Sequence, residues 1–152
     1  MINLSRIQET VASLVDENAK AKETQEKNQR QAAQDREDLA KQIGNLNETV
    51  RDAIFDSFEA TGHTANCILI GLDVFVSGIK TSGLMRIHRD GAIDYDWQGA
   101  DTETISQDQF FDGMGATTVE GVKKLAEAIE IATLKLINER KNAVEDKDNP
   151  FV

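Results

Sequence analysis

Residues 5–59 contain no proline and a single glycine, Gly44. Ala, Glu, Gln, Lys and Arg fill most of the stretch, and these strong helix formers predict one long helix. Unbroken, it would extend ~80 Å at ~1.5 Å per residue. A rod of that length has no core of its own, so it must pack against something else.

The pattern within the rod indicates what it packs against. Ser5 with Gln8 reads as a capping box. Leu4, Ile7, Val11 and Leu14 recur in alternating steps of three and four, the spacing of a coiled-coil seam. The same frame continues through Asn18, Ala21, Gln25, Asn28 and Ala32, where the seam becomes polar and thin. Apolar spacing returns at Leu39, Ile43, Leu46, Val50 and Ala53, with Leu39 moved from one core position to the other. Such a shift is a stutter, which unwinds a supercoil locally.

Two arrangements fit. In one, the rod is continuous and joins a parallel oligomer, with Asn18, Gln25 and Asn28 setting register at some expense in stability. In the other, it breaks near Gly44–Asn45–Leu46–Asn47, where the glycine costs ~1 kcal/mol, and residues 46–59 pack on the C-terminal domain. The first is the expectation. Residues 1–60 are read as an oligomerisation region with a seam of Leu4, Ile7, Val11, Leu14, Leu39, Ile43, Leu46 and Val50. The polar centre could equally be a solvated helix face.

About 90 residues are left for a compact core, and a domain that small buries only ~60–65% of its unfolded surface, so a partner helps. Gly62 reads as the cap ending the rod. Residues 66–76 read as a strand buried on both faces at its start, with Ile68, Ile70, Leu72, Val74 and Val76 sharing one face. Ser77–Gly78 and Thr81–Ser82–Gly83 read as turns. Residues 84–97 read as a hairpin turning at Asp90–Gly91.

A two-residue loop there would set Ile87 beside Asp94 and Met85 beside Asp96. A three-residue loop, Arg89–Asp90–Gly91, instead pairs Ile87 with Ile93, Met85 with Tyr95 and Arg86 with Asp94. That register separates apolar from charged faces and is the expected one. Ser106 with Gln109 reads as a capping box opening a short turn through Phe110–Phe111, closed by Gly113 and Gly115, and Thr117 with Glu120 caps a helix over roughly 118–142. Its stripe of Val122, Leu125, Ile129, Ala132 and Leu136, widened by Ile131 and Leu134, should cover the sheet. The expected fold is α+β: a long N-terminal helix, then a small antiparallel β-meander covered by a C-terminal helix over 61–142, with 143–152 a flexible acidic tail.

The net charge is −10, with 8 basic and 12 acidic side chains in residues 1–59 and 9 and 15 in the remainder. Without a basic lobe, direct nucleic-acid binding and attachment to an anionic membrane are both disfavoured. Cys67 is the single cysteine, so no intrachain disulfide forms. Met1 to Ile7 does not read as a signal peptide. The apolar run Cys67–Val76 is too short to span a bilayer, and a cytoplasmic location is the default expectation.

Seven acids lie between Asp90 and Asp112, with no Lys or Arg among them. Ile105 stands where an EF-hand would need its last carboxylate, so that motif fails. Asp94, Asp96, Asp101 and Glu103 are instead candidate contacts for a protein partner, for instance one with a basic surface. His63, Cys67 and His88 are too few for a structural zinc site, and Cys67 reads as a small buried hydrophobe. No nucleophile–base order and no phosphate-binding glycine loop is present, so no catalytic, cofactor or metal site is expected.

The segment Glu145-Asp-Lys-Asp-Asn-Pro-Phe-Val152 resembles the acidic tip of bacterial single-stranded-DNA-binding proteins. That resemblance covers only the last few residues and implies docking of Pro150–Phe151 in a basic-rimmed pocket. It departs from the pattern at Lys147 and at Val152, which comes after the phenylalanine.

The leading functional expectation is a non-enzymatic homo-oligomer, an adaptor, assembly chaperone or virion or fibre component, presenting a small head on a helical stem. Alternatives are an acidic inhibitor or immunity-type protein blocking a basic nucleic-acid-binding site, and an oligomer with a small-ligand pocket between protomers.

Overall fold

The structure, a computed structural model, describes residues 1–98 and 104–148. Helix α1, Leu4–Ala60, is a single uninterrupted rod. Its N-cap is Asn3, not Ser5: the Asn3 side chain accepts from the Arg6 N–H at 3.1 Å, because Leu4 is already helical. Gly44 does not break the helix. It is exposed and touches nothing, while Leu39, Ile43, Asn47 and Val50 around it are buried, and their packing outweighs its propensity cost.

The rod has two parts. Residues 1–31 are exposed throughout, an arm ~45 Å long at ~1.5 Å per residue. From Ala32 onward one face is buried: Ala32, Leu39, Ile43, Asn47, Val50, Ile54 and Phe55. The spacing there matches the 3.6-residue period of a helix laid on a globular core, with Asn47 and Ile54 inside and Ala53 exposed. The stutter at Leu39 marks this change of period. Leu39, Ile43 and Val50, expected on a seam between chains, pack within their own chain, and Leu46 lies partly buried against the same core.

Strands β1 (Cys67–Val76), β2 (Ile79–His88) and β3 (Ile93–Trp97) form an antiparallel meander in that order. Ser77 and Gly78, with φ of 51° and 77°, make the two-residue turn between β1 and β2. So tight a turn carries Thr81–Ser82–Gly83 into β2, opposite Val74, Asp73 and Leu72, and they are not a turn. Gly83 is required there, because an added Cβ would lie 2.5 Å from the Phe110 ring and 2.8 Å from the Met114 sulfur.

The second hairpin has the expected register, with Ile87 opposite Ile93, Met85 opposite Tyr95 and Arg86 opposite Asp94. His88 and Ala92 bracket the three-residue loop through a 2.9 Å hydrogen bond from the His88 N–H, and Gly91 has φ 93°.

Helix α2 (Gln107–Gly113) carries the expected capping box of Ser106 and Gln109. Helix α3 (Val119–Asp148) is capped by Thr118, not Thr117: the Gly121 N–H donates to Thr118 Oγ1 at 3.0 Å. It also outlasts its expected end near 142, since Val144 lies in a groove with Ala53, Ile54 and Ile137.

The inner sheet face (Ile68, Ile70, Leu72, Val74, Met85, Ile87 and Tyr95) meets Phe110 and Phe111, then Val122, Leu125 and Ile129, then Leu39 to Phe55 of α1. One core therefore runs through the C-terminal half of α1 and everything described after it.

Three arginines fix the rod to this head. Arg36 lies over Phe111 and bonds Asp112 at 2.6 Å and the Asp108 carbonyl at 2.8 Å. Arg89 lies over Phe55 and bonds Glu59 and the Ala65 carbonyl, both at 3.1 Å. Arg140 lies 4.1 Å from the Phe58 ring centre and donates to Ser57 Oγ and O and to Thr61 Oγ1. Its charge also complements the carbonyl end of α1. Asn47 adds a 2.7 Å bond from its side-chain amide to the Gly91 carbonyl.

Candidate functional site

The arm is the part of the described chain with the most unsatisfied apolar surface. Leu4, Ile7, Val11 and Leu14 are 65, 49, 52 and 57% exposed, and Val15 beside them is 58% exposed. The stripe is not the edge of the core, because the next buried residue is Ala32. Isolated apolar surface residues are ordinary, but Leu4, Ile7, Val11 and Leu14 recur at coiled-coil spacing on a helix with no buried residue before Ala32. Asn18, Ala21, Gln25 and Asn28 continue it, also exposed.

The arm carries five basic and five acidic side chains, so the whole net charge of −10 resides in residues 32–152. Parallel or antiparallel, two arms approach without net repulsion, whereas two heads repel.

Two of the expected acidic contacts, Asp94 and Asp96, are held by side chains of β2. Asp94 and Asp96 do share the outward face of the sheet, as alternation on a strand requires. Arg86 does not bond Asp94, its register partner; it reaches diagonally to Asp96 at 2.9 Å, and His88 Nε2 lies 2.6 Å from Asp94. The Asp96 side chain is only 3% exposed and also accepts from the Trp97 N–H at 2.8 Å. A carboxylate so enclosed is a poor partner contact, and this corrects its expected role.

The Arg86 hydrogen bond holds the Asp96 carboxyl below the ordinary carboxylate range, against burial that pushes it up. Asp90 accepts from the Ala92 N–H and so shapes the turn, and Asp108 and Asp112 are held by Arg36. Asp101 and Glu103 lie outside the described residues, as do Pro150 and Phe151.

Among the described residues no group of three or more His, Cys, Asp or Glu side chains could hold a metal ion. Cys67 is half-exposed on the outward sheet face, opposite His88, and is not the buried hydrophobe its strand suggests. Burial pushes the Tyr95 phenol up, partly offset by a hydrogen bond from the Gln107 amide. Tyr95 serves the core, its ring tilted 39° to that of Phe110 at 4.9 Å between centroids.

A cleft of about 680 Å³ lies between α1 and α2. The guanidinium on its wall, Arg36, is already engaged by Asp108, Asp112 and the Ala116 carbonyl, so the cleft presents no free cation. No helix in the described chain is long and apolar enough to cross a membrane. No family model, curated protein or solved structure matches the chain.

The spacing of Leu4, Ile7, Val11 and Leu14 is legible in the sequence, and the structure leaves all four exposed. The three arginine clamps are not legible there, because cation–aromatic pairs distant in sequence leave no local periodicity.

Proposed function

We propose that this chain is a homo-oligomeric interaction module. The arm, residues 1–31, joins copies through Leu4, Ile7, Val11 and Leu14, and each copy presents the head to a protein partner with multiplied avidity. One observation carries this reading: apolar residues at coiled-coil spacing are exposed along an arm none of whose residues is buried in its own chain. An isolated helix of this length is only marginally stable in water, and burying the seam in a bundle removes that weakness. A second helix can lie along the arm as far as Lys20; beyond it Ala21, Gln25 and Asn28 face Thr117–Glu120 of the head across a cleft of about 910 Å³. Asn18 on the seam limits the registers available. The arginine clamps hold the heads at a fixed angle to the stem. The role needs no catalytic residue.

The test is sedimentation equilibrium of the full chain at micromolar concentration. The wild type should sediment as an oligomer. Ile7→Asp with Leu14→Asp should sediment at a lower mass than the wild type, with the thermal unfolding of the head unchanged, because both positions lie outside the core. A monomeric wild type, or an oligomer indifferent to the double substitution, would sink the proposal.

A further inference from the structure

β1 is an edge strand of ten residues. Among the described residues no backbone hydrogen bond reaches its free side. Natural edges of that length are usually blunted by proline, lysine or a bulge. β1 has none of these; its ladder to β2 is regular from Cys67 to Val76, and its one charged residue is Asp73. Its outward face also carries large apolar groups: Leu69 is 55% and Phe75 62% exposed.

The order of residues along β1 identifies the occupant. About Leu72 the strand is nearly palindromic in character. Ile70 and Val74 flank Leu72 on the buried face, and Ile68 and Val76 lie beyond them. On the outward face Gly71 mirrors Asp73, and Leu69 mirrors Phe75.

We propose that the free edge of β1 pairs antiparallel with the same edge of a second copy, with Leu72 on the two-fold axis. This sets Leu69 against Phe75 of the second copy and Asp73 against its Gly71. Centring one residue later would oppose Asp73 to itself, and one residue earlier would oppose Leu69 to Asp73. Both are worse pairs, so self-complementarity selects one register.

Backbone direction agrees. The two-residue turn closes on Val76 and Ile79, so the even-numbered residues of β1 bond β2. The N–H and C=O groups of Leu69, Gly71, Asp73 and Phe75 therefore point to the free side. In the proposed register they meet their counterparts and form about eight hydrogen bonds. The two sheets become one of six strands. A foreign strand could use the edge, but the palindrome is a property only a second copy matches. This interface is separate from the arm and does not depend on it.

Register-specific cross-linking of the full chain tests the pairing. In a Cys67→Ser background, Leu69→Cys with Phe75→Cys sets each new thiol opposite its mate in the other copy, ~5.5 Å apart between Cα atoms, within reach of a disulfide. Along one strand the two positions are ~20 Å apart and cannot bridge. The double variant should yield covalent dimers under mild oxidation. Each single variant should not, and the two single variants mixed should. Both positions are exposed, and the single variants serve as folding controls by circular dichroism.

Absence of dimer in the double variant, or equal dimer in the single variants, overturns the register and with it the proposal. The arm proposal fails separately, if Ile7→Asp with Leu14→Asp sediments with the wild-type mass.

Discussion

Asp96 is the acid whose surroundings depart furthest from those its position suggests. It stands on the outward face of the sheet, yet its side chain is nearly closed from water and held by Arg86 and the Trp97 N–H. Its folded pKa lies below the unfolded value near 4. The stabilisation it contributes is therefore present above that value and lost as pH falls through the folded one. Urea unfolding of the wild type should weaken on going from pH 6 to below pH 4, and Asp96→Asn should be less stable at pH 6 with a shallower acid dependence. An equal acid slope in both proteins would show that Asp96 is not a source of it. Gly83 is another residue with a single reason: the Phe110 ring and Met114 sulfur occupy the space a side chain would need.

α1 is continuous as an element but divided in role, and the division falls near Ala32. Leu14 and Leu39 are chemically identical, and spacing puts both on a seam. Leu14 is 57% exposed, Leu39 only 4%. Leu39→Ala should destabilise the chain by about 2–5 kcal/mol, the usual range for a core leucine. Leu14→Ala should leave head unfolding within about 0.5 kcal/mol of the wild type, the usual range for surface sites. Chemical denaturation at a concentration where the chain is monomeric separates the two. Similar losses at both positions would deny the division. The β-meander was legible at this scale. The apolar run from Cys67 to Val76 placed β1, though its start is buried on one face and not on both, with Leu69 exposed; setting apolar pairs against charged ones chose the register of the β2–β3 hairpin. The start of β2 was not legible, because Thr81–Ser82–Gly83 has turn composition and enters a strand only because Ser77–Gly78 completes the turn first.

For the whole molecule, charge is separated along the chain, and this sets how salt should act on the proposed association. The arm is neutral, and the rest carries −10. Repulsion between heads reaches ~30 Å at ~0.01 M salt and ~8 Å at physiological salt. Association through the arm should therefore change little between about 10 mM and 500 mM salt, while the yield of cross-linked Leu69→Cys/Phe75→Cys dimer should rise. Sedimentation and cross-linking across that range measure the two separately; a cross-link that weakens with salt would contradict the charge argument. Where the arm and the edge join the same two copies, the assembly closes as a dimer. Where they join different copies, it grows.

The sequence by itself determined the elements: a rod without proline, a seam at coiled-coil spacing, a strand with one apolar face, and a hairpin whose register comes from keeping charge out of the core. These are local properties, set by periods of about 3.5, 3.6 and 2 residues along the chain. The exposed seam at Leu4 to Leu14 was readable on the same grounds. Only the tertiary structure decided where the rod stops being an arm and becomes part of the head, and which acids are free. Both depend on residues far apart in sequence. Arg36 pairs with both Asp108 and Asp112, Arg86 encloses Asp96, and the shared core claims Leu39, Ile43 and Val50 for their own chain. A helical stripe records that it must be covered, but not whether the cover comes from the same chain or another.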